Sequence, residues 1–416
     1  MSTVRGVRDI LPVETASWRW LEEQARQLFG AYGYQELRTP LFEQTALFAR
    51  AVGSSSDIVE KEMYTFADRG GESLSLRPEG TASVVRSFID NNLHRSLPWA
   101  VYYMGPMFRY ERPQKGRYRQ FHQMGCELFG AEGPWADAEM MAMIVRFLRR
   151  IGVADSLTLE INSLGCPQCR TPYRARLFDF LQAHAATLCD HCQQRLARNP
   201  LRILDCKGEG CRGVARQAPF MKDALCGACA DHFQGLTTLL TDLCLPFVIN
   251  PLMVRGLDYY NRTAFEVTTT ALGAQNAVAA GGRYDGLVAE MGGPPTTAIG
   301  FAMGMERLVL LLEASRGSLL PRPDFYLVAV GEEARRQALL GAEQWRDAGL
   351  PILLDPLGGS MKAQLRRADR TQARFVLILG DRELLEGCLL VKNMSDGEQF
   401  SLPWQEVVAG LSRQLD

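Results

Sequence analysis

Residues 108–129 read FRYERPQKGRYRQFHQMGCELF, and they join two extended segments through a short basic connection. The segments Ala100–Arg109 and Gln123–Phe129 are rich in apolar and aromatic residues, a pattern typical of strands. Strands joined by a short connection pair as antiparallel neighbours, whereas parallel strands need a long crossover. This stretch therefore predicts an antiparallel sheet at the centre of the fold.

Further strand patterns extend this sheet, but they are interrupted where cysteines crowd, from Cys166 to about Cys229. The simplest interpretation is one α+β core with an inserted Cys-rich module. Strands are predicted at Tyr34–Leu41, Ser73–Leu76, Leu157–Asn162, Phe247–Val254, Tyr259–Thr269 and Ala277–Ala280, and helices at Trp18–Tyr32, Tyr173–His184 and Met305–Glu313.

A second domain is predicted after the Gly- and Pro-bearing linker Arg316–Pro323. Its short apolar runs Phe325–Val330, Ile352–Asp355, Phe375–Gly380 and Leu389–Asn393, of which the first three are separated by helical segments, are typical of a small α/β domain. The predicted bounds are 1–164 for the first part of the core, 165–245 for the Cys-rich module, 246–316 for the second part of the core, and 322–416 for the α/β domain.

The composition is that of a soluble protein of two or three domains: 416 residues, 47% hydrophobic and 22% charged. A net charge of −1 excludes nucleic-acid binding by bulk charge, so an RNA partner would have to meet local basic patches. The first residues carry scattered charges without an apolar segment, and no stretch has the length of a membrane span. We therefore expect a cytoplasmic protein with no membrane partner.

Arginines mark the candidate site. Arg109, Arg255 and Arg307 lie in strand or strand-edge contexts rich in glycine and aromatic residues, where a guanidinium can grip a phosphate or carboxylate with two hydrogen bonds. Neither a G-x-x-x-x-G-K-[ST] loop nor a G-x-G-x-x-G turn occurs, which argues against a P-loop or Rossmann nucleotide site.

Several motifs resemble those of the class II aminoacyl-tRNA synthetases. Phe108–Glu111 and Gly300–Arg307 resemble motifs 2 and 3 of that class, and Tyr34–Pro40 resembles motif 1, which builds the dimer interface. Arg255–Thr263, together with Ala280–Asp285, resembles the histidine-specific members in particular. The resemblance covers nearly the whole chain, including a C-terminal domain similar to the anticodon-binding domain of the family.

The resemblance implies ATP-dependent ligation of L-histidine to its tRNA through a histidyl-adenylate intermediate, with release of AMP and pyrophosphate. It implies a homodimer that uses Mg²⁺ with ATP. In this scheme Arg109 holds the α-phosphate and Arg307 the γ-phosphate, and adenine stacks between Phe121 or a neighbouring ring and Arg307. Arg255 bridges the substrate carboxylate and the α-phosphate. Because two anions must approach each other, fixed positive charge is the main requirement, and no general base is needed.

The resemblance also implies a histidine pocket. An imidazole presents one donor and one acceptor, or two donors, and a carboxylate with a phenol satisfies either state. The implied contacts are Glu79, Thr81 and Gln123 to the amino group, Glu127 and Tyr260 to the imidazole nitrogens, and Tyr259 as part of the pocket wall.

Two other functions are compatible with parts of the pattern. One is a catalytically inactive, synthetase-like regulatory subunit of histidine biosynthesis, which would be expected to lose Arg255 and the C-terminal domain; this chain keeps both. The other is a class II synthetase for a different amino acid, which Glu127 with Tyr259 and Tyr260 argues against.

The cysteines form four close pairs, three of them CxxC, in a chain without a secretion signal, which favours metal ligation over disulfides. Eight thiols allow two Cys₄ sites, one site with spare thiols, or reduced thiols without a metal; structural zinc is favoured over an iron–sulfur cluster. The candidate ligands are Cys166, Cys169, Cys189, Cys192, Cys206, Cys211, Cys226 and Cys229.

Some residues near the motifs have structural interpretations. Tyr259 and Tyr260, if they lie in a strand, point to opposite faces, so at least one of them packs in the core. His122 would point away from Gln123 and is interpreted as structural. Gly281-Gly282 is interpreted as a simple turn.

A basic stripe is predicted in the C-terminal domain. Ser360 is a candidate N-cap, and Lys362, Arg366 and Arg370 follow at i, i+4 spacing, with Arg367 beside them. The stripe either contacts RNA phosphates or is an ordinary solvated face.

Overall fold

The computed structural model describes residues 2–53, 56–154, 157–271, 276–316 and 322–415. The chain forms two compact units, Met1–Leu319 and Leu320–Asp416. The predicted fold class is confirmed: the first unit is built on a largely antiparallel sheet and contains the Cys-rich module, and the second is α/β. No helix in the described part of the chain is long and apolar enough to cross a membrane.

The predicted hairpin at residues 108–129 is the centre of the first unit. Its two strands pair in unbroken antiparallel register from Trp99↔Phe129 to Phe108↔Gln120. The strands of this unit are β1 (Gln35–Glu36), β2 (Phe42–Gln44), β3 (Thr65–Ala67), β4 (Ser73–Leu76), β5 (Trp99–Phe108), β6 (Gln120–Phe129), β7 (Leu157–Ser163), β8 (Val248–Ile249), β9 (Asn261–Thr269), β10 (Ala277–Arg283) and β11 (Ala298–Gly304).

Eight of these strands form the main sheet in the order β1-β5-β6-β11-β10-β9-β7-β8, and β2, β4 and β3 form a small separate sheet. Within the main sheet only the outer pairs β1–β5 and β7–β8 are parallel. The helices of the unit are α1 (Pro12–Ala31), α2 (Thr45–Val52), α3 (Thr81–Asp90), α4 (Trp135–Arg150), α5 (Pro167–Ala183), α6 (Asp190–Arg198), α7 (Glu209–Ala215), α8 (Gly227–Asp242), α9 (Leu287–Glu290) and α10 (Met305–Arg316).

Alternation along the strands divides the core into two layers. Helices α1, α4, α8 and α10 cover one face of the sheet, where they bury Tyr102 and Met124. Helices α2, α3 and α9 pack on the other face with Val101, Tyr103 and Phe129. Side chains at odd-numbered positions of β6 therefore point toward α3, and this face carries the candidate site.

The Cys-rich module lies between β7 and β8 and contains α5 to α7 and the start of α8. Because β7 and β8 are neighbours at one edge of the main sheet, the insertion leaves the sheet continuous. The module has its own core, which includes Tyr173, Leu177 and Leu181 from α5.

The second unit has a five-stranded sheet in the order β13-β12-β14-β15-β16, with the first three strands parallel. Both faces are covered, so β12 and β14 are buried along their whole length, as their uninterrupted apolar sequence predicts. Its elements are β12 (Phe325–Ala329), α11 (Glu332–Asp347), β13 (Ile352–Leu354), α12 (Met361–Arg370), β14 (Phe375–Leu379), α13 (Asp381–Glu386), β15 (Cys388–Asn393), β16 (Gln399–Pro403) and α14 (Val407–Ser412).

Three strand predictions were too long. In Tyr34–Leu41 only β1 pairs in the sheet, because Pro40 has no N–H to donate and the chain then turns into the small sheet. In Phe247–Val254 only β8 pairs, and a turn at Pro251 follows. The strand predicted from Tyr259 begins at Asn261. Most of the predicted linker Arg316–Pro323 lies outside the described residues.

Candidate active site

A cavity opens on the α3 face of the main sheet, between β6, β9, β10 and β11. Its remaining walls are the entry to α3, the connection between β5 and β6, and the segment before β9. Nine of the ten residues given a role from the sequence line it: Glu79, Thr81, Arg109, Phe121, Gln123, Arg255, Tyr259, Tyr260 and Arg307.

The tenth residue, Glu127, lies fully buried beside the cavity. Gln123 and Glu127 are four positions apart on β6, so they point to the same face of the sheet. The Glu127 carboxylate accepts hydrogen bonds from the Thr81 hydroxyl, at 2.7 Å, and from the Tyr284 hydroxyl. It also needs Gly300 on the neighbouring strand, because a Cβ atom there would stand 1.5 Å from a carboxylate oxygen.

Burial raises the pKa of Glu127 to about 8, against the opposing effect of its two hydroxyl donors. This shift favours the neutral, protonated form of the carboxyl group near neutral pH. Such a group gains its charge when a cation binds beside it, so it is suited to receive a basic ligand.

The segment Arg77–Thr81 turns into the first turn of α3 and positions Glu79. Glu79 accepts hydrogen bonds from the backbone N–H groups of Thr81 and Ala82, both at 2.8 Å, which satisfies donors at the start of the helix. Burial raises the pKa of the Glu79 carboxyl. Gln123 stands opposite, and its amide oxygen is buried without a hydrogen-bond partner among the described residues, which leaves it for a ligand.

Two of the four arginines that line the cavity donate to backbone carbonyls. Arg109 donates to the Pro78 carbonyl at 2.8 Å, and its guanidinium lies 5.3 Å from the centre of the Phe121 ring. Arg307 donates to the carbonyls of Gly116 and Ala277. Burial lowers the pKa of both guanidinium groups, and for Arg307 the nearby arginines lower it further. An anion in the cavity would relieve this repulsion.

Arg255 lies against the opposite wall. It forms an ion pair with Glu266 of β9 and lies 5.4 Å from the centre of the Tyr260 ring. Arg117, which also lines the cavity, pairs with Glu111. Neither Glu266 nor Arg117 was given a role from the sequence. Arg117 lies within the quoted stretch 108–129, but a motif gives no sign of which of its arginines faces inward.

The prediction that Tyr259 and Tyr260 point to opposite faces is wrong. Both residues precede β9 and lie in a turn, where the alternation of a pleated strand does not apply, and both rings line the cavity with their centres 4.6 Å apart. Burial raises the pKa of both phenols, which keeps the hydroxyl groups neutral and able to donate and to accept.

Tyr284 is a site residue that the sequence interpretation missed. It follows Gly281-Gly282, which was predicted to be a turn but lies within β10. The glycines are required by packing, since a Cβ on Gly281 would stand 2.3 Å from the Gly300 carbonyl. The segment Ala280–Asp285 had been noted as a motif, and that was the available signal.

A buried polar network fixes the strand end that carries Tyr284. The Asp137 carboxylate accepts from Arg283 at 2.7 Å and pairs with His232 at 2.8 Å, and Thr263 donates to it. All four residues are buried, and their sequence neighbourhoods gave no sign that they would meet. His122 points away from Gln123, as the pleat predicts, and contacts Glu306 and the Trp18 ring.

A mixed, mainly antiparallel sheet that carries an arginine-lined cavity on one face is the fold of the class II aminoacyl-tRNA synthetases. The crystal structure of apo S. aureus histidyl-tRNA synthetase superposes with a TM-score of 0.83 at 36% identity and covers 99% of both chains.

Sequence comparisons identify the family within this class. The family model for histidyl-tRNA synthetase matches residues 6–308, and that for the anticodon binding domain matches residues 324–414. The histidine–tRNA ligase of Desulfitobacterium hafniense (strain DSM 10664 / DCB-2) is 48% identical over 97% of this chain and 95% of its own length. That of Geobacter sulfurreducens is 48% identical over 98% and 99%. The chain belongs to the histidyl-tRNA synthetase family.

Proposed function

We propose that this protein joins L-histidine to its tRNA at the expense of ATP. The histidine carboxylate attacks the α-phosphate of ATP to give histidyl-adenylate and pyrophosphate, and a tRNA hydroxyl then takes the histidyl group and releases AMP. The observation that carries this proposal is that an arginine-lined cavity adjoins a buried carboxyl group surrounded by tyrosines. The first can hold a polyphosphate, and the second can hold an imidazole.

For the activation step we assign the phosphates to the arginines. Arg109 holds the α-phosphate, Arg307 the γ-phosphate, and Arg255 leaves Glu266 to bridge the α-phosphate and the attacking carboxylate. Phe121, over which the Arg109 guanidinium already lies, offers a flat apolar surface for adenine. The nucleophile is ionised at neutral pH, so these residues position two anions and stabilise the charge that develops between them.

Mg²⁺ is assigned to the same cavity with ATP. Glu266 and Glu306 line the cavity and offer carboxylate oxygens, which Mg²⁺ binds together with phosphate oxygens. The ion would neutralise phosphate charge that the arginines do not reach.

For histidine recognition we assign Glu127 and Tyr260 to the two imidazole nitrogens, with Tyr259 as the wall of the pocket. The amino group is assigned to Glu79, Thr81 and Gln123, of which Gln123 has a buried amide oxygen without a partner among the described residues. A buried carboxyl and a neutral phenol together match the donor and acceptor pattern of an imidazole.

The relatives favour the ligase over the regulatory subunit, because they are named as ligases and match nearly the full length of the chain. We also propose a cytoplasmic homodimer. In its support, Leu41 and Phe42 directly follow Pro40 and are 44% and 53% exposed, which suits an interface. A monomer mass in light scattering would refute the dimer.

Histidine alone among the twenty amino acids is expected to stimulate exchange of pyrophosphate into ATP. The Glu127 pocket supplies a cation-accepting group that neutral side chains do not use, and lysine and arginine lack the imidazole geometry. The exchange assay, run with each amino acid and without tRNA, measures this directly. Exchange driven by a different amino acid, or by none, would overturn the proposed function.

The second unit is proposed to contact tRNA through α12. Ser360 caps this helix, since its hydroxyl accepts from the Ala363 N–H, and Lys362, Arg366 and Arg370 are exposed along it. Among the described residues these three basic side chains have no ion pair, whereas Arg367 turns inward and pairs with buried Asp355.

The double variant Arg366→Ala/Arg370→Ala is expected to bind tRNA more weakly and to lower the salt slope of binding by about two, roughly one for each lost phosphate contact. Filter binding at several salt concentrations measures both quantities. A matched control is Arg336→Ala/Arg382→Ala, which removes two exposed arginines that are ion-paired on their own helices. Equal affinities and slopes for the two double variants would show that the α12 stripe is only a solvated face.

A further inference from the structure

We propose that the inserted module holds two separate zinc ions, each bound by four cysteines, and that these ions fix the segment 255–262 of the histidine pocket from both ends. The first site is Cys166, Cys169, Cys226 and Cys229, and the second is Cys189, Cys192, Cys206 and Cys211. The role assigned to segment 255–262 rests on the proposed function, whereas the metal sites do not.

The spacing of the sulfur atoms supports four-coordinate metal sites. Within each group of four, all sulfur atoms lie within 4.8 Å of one another. Cys166 Sγ is 3.6 Å from Cys169 Sγ and 3.9 Å from Cys226 Sγ. In a tetrahedral site with Zn–S bonds of about 2.3 Å, neighbouring sulfur atoms are about 3.8 Å apart. A disulfide requires about 2.05 Å.

Local structure also favours thiolates at both sites. Each CxxC pair, Cys166/Cys169, Cys226/Cys229 and Cys189/Cys192, stands at the start of a helix, where backbone N–H groups point toward its sulfur atoms. The N–H of Cys226 donates to Cys169 Sγ at 3.1 Å, and the N–H of Cys189 donates to Cys211 Sγ at 3.2 Å. Hydrogen bonds of this kind orient metal ligands and favour their ionised form.

The first site anchors the C-terminal half of the pocket segment. Gly165, next to Cys166, accepts a hydrogen bond from the Arg262 N–H at 2.9 Å, and the Leu164 N–H donates to the Arg262 carbonyl at 2.6 Å. Arg170, just after Cys169, donates to the Tyr260 carbonyl at 2.9 Å. These bonds hold the backbone around Tyr260, with Arg262 in the left-handed region at φ 48°.

The second site anchors the N-terminal half of the pocket segment 255–262. Helix α6 starts within it, and Asn199 directly after this helix donates to the Asp258 carboxylate at 3.3 Å. Arg202, which lies between the helix and the ligand Cys206, donates to the Arg255 carbonyl at 3.3 Å and pairs with Asp57 at 3.3 Å. Without a metal, Asn199 and Arg202 would be held only by the module's own core and by ion pairs to Asp57, and the backbone of the pocket segment would be fixed less firmly.

Metal content of the purified full-length protein is the first test. Elemental analysis is expected to give two zinc ions per chain, and X-ray absorption is expected to give four sulfur neighbours at about 2.3 Å. Cys166→Ser and Cys189→Ser should each leave one ion, and the control Cys244→Ser, at an exposed cysteine outside both groups, should leave two. Any of three results would overturn the proposal: a metal-free protein, a single ion per wild-type chain, or the visible absorbance of an iron–sulfur cluster.

The link to the pocket is tested on wild-type protein, so it does not depend on the folding of a variant. After a chelator removes bound metal and Mg²⁺ is restored, amide hydrogen exchange in residues 255–262 should speed up, and added Zn²⁺ should reverse the change. The KM for histidine in pyrophosphate exchange should rise about tenfold or more, with a much smaller change in the KM for ATP. Unchanged amide exchange in 255–262 would overturn the link. If the zinc-loaded protein showed no pyrophosphate exchange, the proposed function would fail. The amide hydrogen exchange result would still decide whether zinc fixes residues 255–262.

Discussion

Arg255→Ala is expected to slow histidyl-adenylate formation about 10³-fold, because a guanidinium placed between two reacting anions stabilises mainly the transition state. Arg255 lies in the cavity wall with its side chain 13% exposed, where charge is only partly screened by water, and no described cationic side chain shares its contact with Glu266. Single-turnover formation of the adenylate, measured by rapid quench with saturating ATP and histidine, reports this step without product release.

Two companion variants separate charge from geometry. Arg255→Lys keeps the charge but cannot bridge two groups with parallel hydrogen bonds, so it should remain strongly impaired. Arg255→Ala/Glu266→Gln should be at least as slow as Arg255→Ala, since Glu266 is also assigned to Mg²⁺; recovery in the double variant would mean that the unpaired Glu266 causes the defect. Arg86→Ala is a matched control, since Arg86 is ion-paired outside the cavity. An Arg255→Ala rate within about tenfold of wild type would refute the bridging role.

The parts of the fold that sequence patterns predicted are those where local rules are sufficient. The β5–β6 hairpin has a short connection that fixes its direction, and the pleat then places Gln123 and Glu127 on one face and His122 on the other. The buried strands β12 and β14 were recognisable because both faces are covered and the sequence stays apolar.

The parts that were missed depend on contacts between distant segments. Tyr284 reaches Glu127 only because Gly281 lets β10 pack tightly against β11, and a glycine pair alone is equally compatible with a turn. Tyr259 and Tyr260 share one cavity because their turn is held by the inserted module, through Arg170, which lies 90 residues upstream of Tyr260. The pairing of the eight cysteines into two groups likewise followed from the fold and not from their spacing.

Glu127→Gln is expected to lower kcat/KM for histidine about 10²- to 10³-fold and to leave the KM for ATP nearly unchanged. The amide keeps the shape of the side chain but cannot become an anion beside an imidazolium, and loss of one partner from a buried charged pair is costly. Steady-state pyrophosphate exchange measures both constants. Glu160→Gln serves as a control, because Glu160 is a hydrogen-bonded glutamate of the same sheet that does not line the cavity.

The same variant also reports the ionisation of Glu127. Its pKa is raised from 4.5 to about 8 by burial, so between these values the folded protein keeps a proton that the unfolded chain releases. The folded state binds more protons than the unfolded state, and the free energy of unfolding contributed by this group therefore falls as the pH rises through that interval. Glu127→Gln lacks this loss, so its stability relative to the wild type should increase from pH 5 to about pH 8 in denaturant titrations. Saturating histidine should reduce the difference, because an imidazolium favours the ionised carboxylate and lowers its pKa. If the relative stability of the variant did not change with pH, the Glu127 carboxylate would be ionised in the histidine-free protein, and histidine recognition would begin from an existing anion.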